Sequence, residues 1–160
     1  MPDPTHPRLL PSFIDRLLDP ESMGGRLAGY DHRQMMDAVR ADLEDLLNAR
    51  MTTVDLPPEF EETARSVVTF GLPDLSGYDV SGRTARTDLS RTVAAVIERF
   101  EPRLRRIRVS VLDDKAKGGL SIRLRVEAEL NVDPAPEVGF ETVLELTTGR
   151  ATVTPTGAAG

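Results

Sequence analysis

A chain of 160 residues with 26 acidic against 20 basic side chains and a formal net charge of -6 has room for one domain with a real core. Its acidity argues against a polyphosphate as main partner, and with no cysteine it has neither a disulfide framework nor a thiolate metal site, which fits a reducing compartment, the cytoplasm by default. No stretch approaches the roughly 20 apolar residues of a membrane span, and the N-terminus lacks a signal-peptide pattern, so the chain is expected to be soluble, with no direct membrane insertion.

Residues 1–9 carry Pro2, Pro4 and Pro7 without an apolar period and read as a flexible lead-in; residues 10–154 read as a single domain, and the Gly/Ala-rich end, 155–160, as a disordered tail. Phe13, Ile14, Leu17 and Leu18 form the stripe of a short amphipathic helix that Pro20 and Gly24-Gly25 close. A helix so short is marginal alone, so its stripe must dock on the domain or on a partner. Tyr30 to Met51 is the clearest helix, with Asp31 as N-cap, Gln34 three residues on, and Met35, Met36, Val39, Leu43, Leu46 and Leu47 as its core stripe. Beyond Pro57-Pro58, Thr63 to Phe70 reads as a short helix rather than a strand. Gly71 to Gly82, GLPDLSGYDVSG, is a loop longer than usual and a candidate contact loop.

Leu89, Val93, Val96, Ile97 and Phe100 then recur at helical spacing, with Thr87 or Asp88 placed to cap, and Pro102 stops the helix. Proline pushes the preceding Glu101 into extended backbone, where residues two apart point the same way, so Glu101 and Arg103 project together. Ile107, Val109 and Val111 alternate with Arg106, Arg108 and Ser110, and carrying that parity back puts Glu101 and Arg103 on the apolar side of the strand. After the charged turn Asp113 to Gly119, a second strand alternates without fault from Leu120 to Val132. Asp133-Pro134-Ala135-Pro136 breaks it. A third runs from Val138 to Leu146, its acidic outer residues beside Arg123 and Arg125, and Ala151 to Thr154 adds a fourth. The order predicts an α+β fold, N-terminal helices packed on a C-terminal antiparallel β-meander of three to four strands.

Little here points to chemistry. His6 and His32 are too few and too far apart for a zinc site, and there is no nucleophile elbow, phosphate-cradling loop or dinucleotide fingerprint. Glu59, Glu61 and Glu62 read as a solvated acidic segment, not as half of a glycosidase pair. The arginines at 99, 103, 105, 106 and 108 lack the interleaved aromatics of a single-strand binder, so no nucleic acid is expected. No catalytic, cofactor-binding or metal-binding residue is assigned. The constellation that stands out is Glu101-Pro102-Arg103, either an ordinary helix stop with an internal ion pair or a preformed partner-binding element.

The helix end F-E-P-R followed by an alternating R-V-x-V strand resembles the E-P-R motif of the GPW/gp25-like baseplate family, specifically its TssE branch in the bacterial type VI secretion system. SFIDRLLD (Ser12 to Asp19), LEDLLNAR (Leu43 to Arg50) and FGLPDLSG (Phe70 to Gly77) resemble further TssE stretches in the same order. The resemblance implies a wedge subunit that packs with TssF and TssG, with TssK in the assembled baseplate, docked at the inner membrane complex. It implies that the contractile sheath of TssB and TssC begins to polymerise on this subunit, and that extended sheath arms add to its open sheet edge by strand pairing. It implies no catalysis and no cofactor, and assigns Glu101, Pro102 and Arg103 to contact with the wedge core. Rival readings are a regulatory module of the anti-adaptor type and, last, a lysozyme-like hydrolase.

Overall fold

Two amphipathic helices and one sheet each carry a single apolar face, and the three faces close on one another. The computed structural model describes residues 32–51, 57, 59–64, 66–75, 82–112 and 121–156. The expected helix around Phe13, the Asp31 cap, the loop tip at 76–81 and the turn at 113–119 lie outside the described residues.

Helix α1, His32–Asn48, buries Met35, Val39, Leu43, Leu46 and Leu47, the stripe its spacing predicts. Where one short helix is expected over Thr63 to Phe70, the structure has helix α2, Glu61–Ala64, and a separate 3₁₀ turn, Val67–Thr69. Ser66 divides them: its backbone is extended, and its Oγ accepts from the Val68 N–H at 3.3 Å while donating to the Thr63 carbonyl at 2.7 Å. A serine side chain that satisfies local backbone groups competes with a continuous helix.

Helix α3, Arg83–Phe100, buries Leu89, Val93 and Ile97. It begins upstream of the expected Thr87 or Asp88 caps, with Gly82 as N-cap and no side-chain cap. Both expected caps lie inside the helix, Thr87 Oγ1 donating to the Arg83 carbonyl at 3.0 Å and Asp88 pairing with Arg91 at 3.1 Å. The residues from Arg83 to Arg86 tolerate helix, so nothing obliges it to wait for a capping side chain.

Four antiparallel strands follow in meander order: β1 Leu104–Leu112, β2 Ser121–Leu130, β3 Glu137–Glu145 and β4 Ala151–Thr156. The alternation read from the sequence is the burial pattern of β2 and β3, whose inner rows include Leu124, Val126, Leu130, Val138, Phe140 and Leu144. β4 runs two residues past the expected Thr154. In β1 the parity fails. Arg105 pairs with Glu129 and Arg108 with Glu127, so Arg106 and Ile107 together face Ala128, a β-bulge in which Arg106 takes φ 53°. The extra residue shifts the phase: Leu104 and Ile107 are both buried and Arg105 is exposed, so alternation carried back from Ile107 does not place Arg103.

Helices α1 and α3 cover one face of the sheet, and the other is a polar lattice. On that outer face Arg123 and Arg125 reach Glu141 at 3.1 and 2.9 Å, the acidic neighbour the sequence places beside them, and Arg105 and Arg106 reach Glu129 at 3.3 and 2.7 Å. Along β4, α1 supplies hydrogen bonds a fifth strand would otherwise make. Asn48 Nδ2 donates to the Ala151 carbonyl and Asn48 Oδ1 accepts from its N–H, both at 2.9 Å, while Glu44 Oε2 accepts from the Val153 N–H at 3.3 Å.

Candidate functional site

At the junction of α3 with β1 the chain must reverse from helix to strand within three residues. Glu101 is the last position tied to the helix ladder, its N–H donating to the Ile97 carbonyl at 2.8 Å. Its carbonyl then accepts from the Leu104 N–H at 3.1 Å, closing a turn over Glu101 to Leu104 with Pro102 at the second position, where a fixed φ suits it. The start of the loop after β2 braces the turn: the Asn131 N–H donates to the Arg103 carbonyl at 2.7 Å and Asn131 Nδ2 to the Pro102 carbonyl at 3.4 Å.

Glu101 and Arg103 pair with each other. Arg103 Nε donates to Glu101 Oε1 at 2.7 Å, Arg103 Nη2 donates to Oε2, and the Arg103 N–H donates to Oε1 at 3.1 Å. This two-pronged grip is the geometry in which guanidinium and carboxylate bind most strongly. Glu101 is 3% exposed, so its burial comes from capping α3 at the domain interior and not from strand parity. Arg103 keeps 21% of its side chain exposed and also donates through Nη2 to Asp42 on α1, while Pro102 is exposed. Burial works against the charge of Arg103, but the hydrogen bond and charge of Glu101, then those of Asp42, outweigh it and push its pKa up. Arg103 Nη1 is buried and has no hydrogen-bond partner among the described residues.

Asp42 is the member of this site that sequence reasoning misses. It lies 61 residues from Arg103 on the polar side of α1, where an acidic residue is ordinary, and only the packing of α1 against α3 brings them together. The described parts of two other sequence-marked stretches, residues 43–50 and 70–75, meet beside the same two helices. Arg50 and Leu72 form a parallel bridge, with Leu72 N–H on the Ala49 carbonyl at 3.0 Å and Met51 N–H on the Leu72 carbonyl at 2.9 Å. Phe70 packs edge-to-face on Phe100, ring centres 5.3 Å apart, one residue before Glu101. Among the described residues no group of His, Asp or Glu is arranged to hold a metal ion, and no helix is long and apolar enough to cross a membrane.

The family described as baseplate wedge protein gp25 matches residues 33–135, from the start of α1 to the link before β3. A solved structure of the baseplate complex from the type VI secretion system contains a chain 18% identical to this one, with a TM-score of 0.49, covering 69% of this chain and 94% of that chain. No curated protein matches in sequence. The match spans both main helices, the Glu101-Pro102-Arg103 junction and the first hairpin, and on it the chain belongs to the GPW/gp25 family of baseplate wedge proteins.

Proposed function

We propose that this chain is the TssE-type wedge subunit of a type VI secretion baseplate. It packs with TssF and TssG, with TssK in the assembled baseplate, at the cytoplasmic side of the inner membrane complex, and it forms the platform on which TssB and TssC begin to polymerise. The role is structural, with no reaction catalysed. The observation that carries this reading is convergence: the described parts of three TssE-like stretches, Leu43 to Arg50, Phe70 to Leu75 and Phe100 to Arg103, are joined through the Arg50–Leu72 bridge and the Phe70–Phe100 contact.

Within that site the three residues of the motif take different parts. Glu101, buried and gripped by Arg103, holds the turn in shape; exposed Pro102 and the rim of Arg103 are the surface offered to the wedge core. Co-purification with TssF and TssG tests the reading. The wild-type chain is expected to be retained by that pair, and Pro102→Ala, which keeps the turn's backbone bonds, is expected to lose most of that binding with its denaturation midpoint nearly unchanged. Failure of the wild-type chain to associate with either protein would remove the wedge assignment.

A further inference from the structure

Arg103 is held by two carboxylates, and one of them is enough to balance its charge. Glu101, 3% exposed, accepts from Nε at 2.7 Å, from Nη2 and from the backbone N–H at 3.1 Å, so the buried pair is complete within its own turn. Asp42 accepts from the same Nη2 with 45% of its side chain exposed. An ion pair so open to water adds little stability. What it adds is direction. A guanidinium is a flat fork on a flexible stem, and bonds to carboxylates on two separate elements leave the fork one position. The separation of those elements matters. α1 packs chiefly on β4 and α3 chiefly on β1, the opposite edges of the sheet, and the two helices touch only lightly. On its other side the turn is fixed through its backbone, by Asn131 on the Pro102 and Arg103 carbonyls. The bond from Arg103 to Asp42 ties the same turn to α1 through a side chain.

We infer that Asp42 is a positioning residue of the partner-binding junction: it holds the partly exposed rim of Arg103 in one orientation beside exposed Pro102 before any partner arrives. The inference rests on the wedge-subunit reading above and adds to it a residue that the Glu101-Pro102-Arg103 motif does not contain. Its physical basis is preorganisation. A long side chain that is free in the unbound protein loses its rotamers on binding, and that cost weakens the complex, whereas a side chain already held has fewer to lose. Glu101 grips Arg103 from the buried side, and Asp42 takes the bond of Nη2 that faces the solvent. The effect needs the acceptor oxygen at position 42 and not its charge, because Glu101 already supplies the counter-charge within the turn. That separates a positioning role from a carboxylate that the partner reads directly.

The test measures binding of the full-length chain to purified TssF and TssG by titration, with the denaturation midpoint of each variant alongside. Asp42→Ala is expected to weaken binding about three- to tenfold, the cost of ordering one long side chain, with its midpoint nearly unchanged. Asp42→Asn, which keeps an acceptor oxygen without the charge, is expected to bind within about twofold of the wild type. In a Pro102→Ala background Asp42→Ala is expected to cost little more, since both act on one rim. In the free wild-type chain, NMR is expected to show slow rotation of the Arg103 guanidinium, made faster by Asp42→Ala. Unchanged binding by a folded Asp42→Ala variant would overturn the assignment and leave the wedge reading standing. Equal losses in Asp42→Ala and Asp42→Asn would mean that the partner reads the charge itself, which also overturns it. So would fast guanidinium rotation in the free wild-type chain, which decides the matter alone if the alanine variant does not fold. A wild-type chain that TssF and TssG do not retain would fail the wedge reading, and this one with it.

Discussion

Arg103 holds two carboxylates of unequal standing, and their exposure predicts different results on removal. The Glu101 side chain is 4% exposed and that of Asp42 45%. Arg103→Ala leaves a buried carboxylate without its cation and is expected to cost about 3–5 kcal/mol of stability. Asp42→Ala removes a partner that water replaces, and the loss is expected to stay under about 1 kcal/mol. Denaturant midpoints of the two purified variants check both; equal losses would mean that Glu101 does not depend on Arg103 for its charge. A glycine elsewhere is as constrained. Gly71 has φ 108°, and a Cβ there would lie 2.5 Å from the Ala49 carbonyl oxygen. Gly71→Ala is expected to destabilise by at least about 1 kcal/mol, since neither the dihedral nor the backbone can yield cheaply. A midpoint unchanged by this substitution would show that the crossing of residues 49–51 with 71–72 relaxes freely.

At the scale of elements, α1 does more than bury a stripe. Its last turn supplies Glu44 and Asn48 to the edge of β4, and Asn48 alone satisfies both backbone groups of Ala151. Asn48→Ala leaves these partly buried groups unpaired, with an expected loss of about 1–3 kcal/mol. The Ala151 amide is expected to exchange faster than in the wild type, while amides in the middle of β2 change little. Equal acceleration in both strands would indicate global loosening instead of an opened edge. The stripe of α1 was legible from its period, because a buried helical face is written into residue spacing. The capping role of Asn48 was not, since its partner lies 103 residues away and no local pattern records it.

For the molecule as a whole, the exposed sheet face sets an acid dependence whose sign follows from its ion pairs. The hydrogen bond from Arg106 holds the Glu129 carboxyl below its ordinary value against its partial desolvation, with the charges of Arg106 and Arg105 adding to the effect; Arg125 and then Arg123 do the same for Glu141. A carboxyl lowered on folding binds fewer protons in the native state than in the unfolded one. Its contribution is therefore full above the ordinary carboxylate value of roughly 4.3 and disappears as pH falls through the lowered native value. Midpoints measured from neutral pH downward are expected to drop in that acid window, and less steeply in the Arg106→Ala, Arg125→Ala double variant. Identical acid slopes in the two proteins would mean these pairs do not contribute. The same purified chain is expected to show no cleavage of cell-wall material by zymography; reproducible activity lost on replacing one Asp or Glu would contradict a structural role.

By itself the sequence determined the α+β order, the stripes of α1 and α3, the inner rows of β2 and β3 and the prominence of Glu101-Pro102-Arg103, because each is a local regularity of period or turn chemistry. Tertiary structure decided what depends on distant residues meeting. It put Leu104 in the core through a bulge whose Arg106 carries no glycine-like signal, and buried Glu101 as the cap of α3 where strand parity assigns it for the wrong reason. It also brought Asp42 to Arg103 across 61 residues of chain and sealed β4 with side chains of α1. Periodicity reports which face a residue occupies only while the backbone stays regular, and partners in an ion pair or an edge cap are selected by packing, which no spacing in the chain encodes.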